Sequence, residues 1–344
     1  MTTTPRWRRR PEGATWGDFG PDDELGRLNL ITPEKVRAAV AEVKEGRTFC
    51  LSLPLDRPGG SVLNARRTPP VLAPTGSVET PRFNHFLCGD DASFVDVVCD
   101  DKVEMCLQYS TQWDSFAHVG ALFDVDGSGR PAPVYYNGFR AGIDIVGPRE
   151  AAATGGVAGA RKLGIERVAA HGVQGRGVLV DLFSRYGETR RLVGYDDLMA
   201  ALDDQRVQVE EGDILCLYTG FADVIMAMDG AVDGARLAAS CAVLDGRDTR
   251  LLDWISHSRI AALVADNYAV EQLPARRLAA TSQASMPLHH HCLFKLGVPL
   301  GELWWLSALA DHLRAAGRTR FLLTAPPLRL PGAVGSPVTP IATV

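Results

Sequence analysis

No stretch of this chain approaches the ~18 consecutive apolar residues of a membrane-crossing helix, and the arginine-rich start at residues 6–10 is not followed by the apolar segment of a secretion signal. The sequence therefore predicts a protein that neither spans a membrane nor is exported, and places it in the cytoplasm. Strong charge of one sign is missing too. A formal net charge of -5 over 344 residues leaves no electrostatic footprint for nucleic acid. The run RWRRR is too short to change this and reads as a solvated tail. Paired cysteines are also lacking: the seven present (Cys50, Cys88, Cys99, Cys106, Cys216, Cys241, Cys292) are odd in number, scattered, and form no CxxC or zinc-finger spacing. They read as reduced, mostly buried thiols.

What is present is a globular composition, 46% hydrophobic and 22% charged, in a chain long enough to bury a large core. No repeat, low-complexity segment or sharp compositional shift divides it. Thr32, Pro33 and Glu34 make a helix start, with Thr as cap and Pro at the first helical position; the helix is predicted to run through Val43, with Gly46 as its stop. FCLSLPL reads as a strand. A long Pro/Gly-rich section from Pro58 to Pro81 follows, either a lid over a site or a disordered excursion. FVDVVCDDKVEMCLQYSTQWD alternates apolar and polar residues in two runs and reads as a hairpin. Further on, RGVLVDL, DILCLYTGF and IAALVADNY are near-continuous apolar runs of the kind buried on both faces of a sheet. YDDLMAALDDQ and RLLDWISHS, the latter capped by Asp248 or Thr249, are helical segments between them. Strands alternating with helices predict an α/β fold. GELWWLSALADHLRAAG carries one more helix. Asp124, Asp126, Gly127 and Ser128 resemble a calcium loop, but its closing acid is absent, and a turn is the better reading.

Residues 108–118, QYSTQWDSFAH, carry the most chemistry. In extended backbone Gln108, Gln112, Asp114 and His118 would share one face, because their spacings are all even. Such a face can be one wall of a pocket or simply the solvated edge of a strand. His289, His290 and His291 open a helix-like segment, with Glu302 twelve residues beyond His290. Imidazole nitrogen and carboxylate oxygen together suit Zn or Mn; the other reading is one capping histidine and two solvated ones. His85, in FNHF, could line the mouth of a site or pack between aromatics. Asp266 and Asn267 end a buried strand, where α/β folds place ligands or Asx turns. Trp113, Phe116, Tyr135 and Tyr136 could wall an aromatic site or be core.

QYSTQWDSFAH resembles the signature HxGTHxDxPxH of the metal-dependent cyclase family, which includes bacterial kynurenine formamidase and isatin hydrolase. Thr111, Asp114 and His118 fall on signature positions. RGVLVDL, YTGF, LVADNYAVE and PLRLPGAVGSPV resemble family blocks in the same order, and WGDFGPDDELGRLN resembles the start of longer bacterial members. The resemblance implies a single domain of the swivelling β/β/α kind over residues 46–344, preceded by an extension with one helix over 1–45, in a homo-oligomer, a dimer or tetramer. It implies metal ligands at Gln108, Gln112, Asp114, His290 and Glu302 for Mn or Zn, and His118 as general acid or base; the candidate substrate contacts read from the residues are Trp113, Phe116, His85 and Asn267. The activity implied is hydrolysis of a cyclic or aryl amide, or a lactone, on a small aromatic or cyclic substrate. Gln108 and Gln112 depart from the signature, which has histidines there. An amide oxygen is a poorer donor than imidazole, so three arrangements stay open: one ion on Asp114, the late histidine and Glu302; a metal-free site in which the glutamines donate hydrogen bonds, as in a cyclase, dehydratase or isomerase; and a ligand-binding relative without turnover.

Overall fold

The pairing of nine strands in one mixed sheet sets where every candidate site residue lies. The computed structural model describes residues 6–279 and 282–344. In chain order the strands are β1 (Thr48–Cys50), β2 (Gln112–Asp114), β3 (Gln174–Asp181), β4 (Ile214–Tyr218), β5 (Ala262–Ala265), β6 (Leu300–Glu302), β7 (Arg320–Thr324), β8 (Gly335–Pro337) and β9 (Ile341–Thr343). They lie side by side as β1-β9-β7-β3-β4-β5-β6-β2-β8. The central run β3 to β6 is parallel; antiparallel pairs complete both flanks.

Parallel strands are covered on both faces, which is why their sequences are apolar without alternation. Val178, Val180, Leu215 and Leu217 pack on one face, and Leu179, Ile214 and Cys216 on the other. The first face is covered by α2 (Tyr195–Asp204) and α3 (Thr249–Ser258) through Leu198, Ala201, Leu251 and Ile255. The second is covered by α1 (Pro33–Val40), through Val36, and α4 (Ser307–Ala316), through Leu309, Ala310 and Leu313. The α/β expectation of a mixed sheet with flanking helices holds. Thr32 and Asp248 cap α1 and α3 by accepting backbone N–H bonds, as their sequences predict. Among the described residues no helix is long and apolar enough to cross a membrane.

Several expectations are corrected. The two runs read as a hairpin do not pair with each other. Val97–Val98 pairs with His85–Phe86, and Asp101–Glu104 with Val71–Pro74. The section from Pro58 to Pro81 thus supplies a strand, and the segment around it forms two small sheets that project apolar side chains. Alternation of residues was read correctly, but it carries no information on which strand is the partner. α1 stops at Val40 rather than Val43. The cysteines are free, yet only Cys216, Cys241 and Cys292 are buried, while Cys50, Cys88 and Cys99 are exposed. Nor is the arginine run simply a solvated tail. The Arg6 guanidinium lies 4.0 Å from the centre of the Phe139 ring, and Trp7 meets the buried Trp16 edge-on. Trp16 and Leu28 lie in the same clusters as the sheet residues. Asp124 accepts from the N–H groups of Ser128 and Gly129, as a turn does.

Trp304 fixes the end of the sheet nearest the candidate site. Its ring meets Trp113 edge-on with centroids 5.0 Å apart, and its Nε1 donates to the Gln112 carbonyl at 3.2 Å. We expect Trp304→Ala to cost about 3–5 kcal/mol of unfolding free energy in a denaturant titration, as for other buried large-to-small changes.

Candidate metal centre

Two strands and one helical segment bring three metal-binding side chains to a single point. β6 and β2 pair antiparallel with Glu302 opposite Gln112 and Leu300 opposite Asp114. Opposed residues share a face and the residue between them takes the other. Gln112, Asp114 and Glu302 therefore face together, and Trp113 packs on the opposite side against Trp304. The period-two reading of the motif is correct for Gln112 and Asp114 and stops there. Gln108 precedes the strand in a turn, and residues 115–118 turn again after it.

The third element is helical segment 287–296, a short α turn from Pro287–His289 continuing as a π-helix over His290–Leu296. Its first N–H groups lack partners within the helix, as at any helix start. Glu271 supplies them, with Oε2 accepting from Leu288 N at 2.9 Å and Oε1 from His289 N at 2.9 Å. Oε1 also accepts from His289 Nδ1 at 2.8 Å. One buried carboxylate thus caps the segment and fixes the imidazole, leaving Nε2 directed at Glu302 Oε1, 3.1 Å away, and Asp114 Oδ2, 3.8 Å away. Asp114, His289 and Glu302 each present a ligand atom within 4.8 Å of the others.

His289, not His290, is therefore the histidine of the cluster. One helical step turns the side chain by about 100°, and His290 instead stacks on Phe294 with ring centroids 4.9 Å apart. Burial and Lys295 lower its pKa to about 4. His291 bonds Ser256 Oγ at 2.8 Å. His118 stands at the rim, partly exposed, its Nε2 3.9 Å from Asp114 Oδ1. Gln112 meets the acids with its amide nitrogen, 3.4 Å from Asp114 Oδ1 and 3.2 Å from Glu302 Oε2. Its amide nitrogen is a hydrogen-bond donor to both acids. Gln108 lies against β8, where a Cβ on Gly335 would come within 2.4 Å of its Nε2.

The remaining candidates lie elsewhere. Trp113 and Phe116 are core residues, the latter against Tyr136. His85 sits on the projecting segment beside Asp90, 3.3 Å away. Asn267 is buried, its Nδ2 donating to the Ala242 carbonyl. Asp266 accepts from Thr219 N and Oγ1 and from Gly220 N, a turn-holding role. Two residues were missed: Glu271, which lay unremarked in LVADNYAVE, and Arg67, in the Pro/Gly-rich section. Arg67 Nη1 donates to the Gln108 carbonyl at 2.6 Å.

The electrostatics of the centre are dominated by its buried acids and the imidazole between them. Burial, reinforced by Glu302, raises the Asp114 pKa despite the opposing pull of His118 and His289. Burial also pushes Glu302 upward, but the bond and charge of His289 outweigh it and hold Glu302 below its ordinary range. For His289 burial favours the neutral ring, yet Glu271 and Glu302 together raise its pKa to about 10. Asp114 Oδ2 and Gln112 Oε1 are buried without hydrogen-bond partners. Buried polar atoms are rarely left so. Two acids, one imidazole and orphaned oxygens fit a divalent ion that accepts mixed nitrogen and oxygen donors.

The chain belongs to the cyclase family: the family described as putative cyclase matches residues 49–272. A solved structure described as a novel cyclase is 31% identical, with TM-score 0.76, covering 98% of this chain and 100% of its own. Isatin hydrolase A from Labrenzia aggregata, bound to benzyl benzoate, shares the fold at 13% identity and TM-score 0.55, over 90% of this chain and 98% of its own. Isatin hydrolase A from Ralstonia solanacearum does so at 15% identity and TM-score 0.52, over 90% and 97%. No curated protein matches the chain.

If Glu271 sets the His289 tautomer, Glu271→Gln should weaken binding of Mn or Zn by about 10- to 100-fold, as loss of partners behind metal-bound histidines does elsewhere. Calorimetric titration of the metal-stripped protein checks this; unchanged affinity would show that Glu271 only caps the helix.

Proposed function

We propose that this protein is a metal-dependent hydrolase that opens a cyclic or aryl amide, or a lactone. The carrying observation is the buried group Asp114, His289 and Glu302 with His118 at its rim. A divalent ion, Mn or Zn, held by those three residues would supply an activated water and a positive centre for the charge developing on the carbonyl oxygen. The protein's own residues do the rest. Glu271 keeps Nδ1 of His289 engaged, so that Nε2 is the donor offered to the centre. Gln112 bonds both acids and holds their carboxylates side by side. His118, partly exposed at the rim, would take a proton from the attacking water and return it to the leaving nitrogen or oxygen. The isatin hydrolases of the same fold act on the substrate class their name states, which supports a cyclic amide as the first to try.

A non-hydrolytic cyclase or dehydratase is the second reading. Gln112 favours it, since it presents a hydrogen-bond donor to the acids. Incorporation of labelled water oxygen into product separates the two. His118→Ala should lower turnover by about 10²–10⁴-fold while bound metal, measured by elemental analysis, stays at the wild-type level. Turnover that survives the substitution would remove His118 from the reaction.

The protein also acts as a homo-oligomer in this proposal. Val71, Leu72, Phe86, Val97 and Val103 are exposed on the two small sheets of the projecting segment. Two-stranded sheets are marginal alone, and apolar patches of this kind mark contact surfaces. A second copy of the chain, offering the same patch, is the occupant. Light scattering should give a dimer or tetramer, and Leu72→Lys with Phe86→Lys should shift it toward monomer; a monomeric wild type would sink the idea.

A further inference from the structure

Arg67 is a half-buried cation without a counter-ion. Among the described residues its guanidinium has one hydrogen-bond acceptor, the Gln108 carbonyl, and no carboxylate at ion-pair distance. The group lies 5.9 Å from the centre of the Tyr268 ring. Tyr109 anchors the loop that carries Arg67: its hydroxyl accepts from Gly59 N and donates to the Gly60 carbonyl. Asn64 Nδ2 reaches the Tyr268 hydroxyl at 3.3 Å. Arg67, Asn64, Gln108, Tyr109 and Tyr268 thus line one cleft. The cleft neighbours the metal centre: Gln108 touches Gly335, which pairs with Asp114, and the positive charge of Arg67 is felt by both Asp114 and Glu302.

We propose that Arg67 anchors the substrate and that the substrate carries a carboxylate, docked on the uncommitted edge of the guanidinium with its aromatic or cyclic body against Tyr268. A guanidinium offers two parallel N–H donors that match a carboxylate. Holding it half-desolvated without an anion is unfavourable, and an arriving carboxylate relieves that. The bond to Gln108 and the Tyr268 ring fix the orientation of the fork, so little freedom is lost on binding. Room beside it is about 10 Å³, enough for roughly one water. Docking of a carboxylate therefore requires this cleft to widen.

The second half of this inference, the reacting carbonyl turned toward Asp114, His289 and Glu302, rests on the hydrolase reading; the anion site does not. Calorimetry on the metal-loaded protein with benzoate and with its neutral counterpart benzamide tests it. Wild type should prefer benzoate at least tenfold. Arg67→Met should abolish the preference with benzamide binding and metal content unchanged, and Arg67→Lys should keep part of it. Equal binding of the two probes by wild type, or a preference that survives Arg67→Met, overturns the proposal. If Arg67→Met fails to fold, the wild-type comparison and Arg67→Lys decide. Turnover is a separate arm: a benzoate preference that depends on Arg67 in a protein hydrolysing no amide or lactone leaves the anion site standing and ends the hydrolase reading. Hydrolysis indifferent to Arg67 does the reverse.

Discussion

Two carboxylates buried side by side, Asp114 and Glu302, set the terms for everything around them. Neither is reached by water, and like charges in such a place disfavour one another's ionisation. Their proximity follows from backbone register, since the antiparallel pairing of Gln112–Asp114 with Leu300–Glu302 puts both on one face. A one-residue slip of β2 would send Trp113 into the centre and Asp114 into the opposite core, and a slip of β6 would turn Glu302 away. Packing of Trp113 on Trp304 therefore maintains the chemistry from behind. The fold holds two acids together, and the site supplies what makes that tolerable.

What it supplies is graded. His289 bonds Glu302 directly, Gln112 bonds both acids through its amide, and His118 and Arg67 act from farther out. Glu271 adds a third acid, but one already committed to two N–H groups of a helix start and to the imidazole. A carboxylate at a helix N-terminus sits in a favourable field. That explains how a third buried acid is accommodated so close to the first two.

Much of this was legible in the sequence. The buried strands announced themselves by apolar runs, and Thr32 and Asp248 marked their helices by cap chemistry. Asp114 and Glu302 were marked by donor identity and by resemblance to the family signature, and the structure brings them together. Partner choice is what spacing does not report. The runs before Gln112 alternate as a hairpin should, yet each pairs with a strand further upstream. His290 was preferred to His289 for the same reason. In a run of three histidines the direction of each ring depends on the start of the helical segment, which is set by Glu271 from another part of the chain. Arg67 carried no signal beyond its place in a loop rich in proline and glycine; its meaning comes from what it lies beside.

Charge balance links the centre to Arg67. A divalent ion would sit against the carboxylates of Asp114 and Glu302 with His289 neutral. Without an ion, a protonated His289 and Arg67 are two positive charges, and balance requires a proton on Asp114, the acid whose pKa burial raises. Metal entry would therefore exchange with protons, those of His289 and Asp114. The positive charge of Arg67 reaches both Asp114 and Glu302, and the register of β2 on β6 keeps those two acids together.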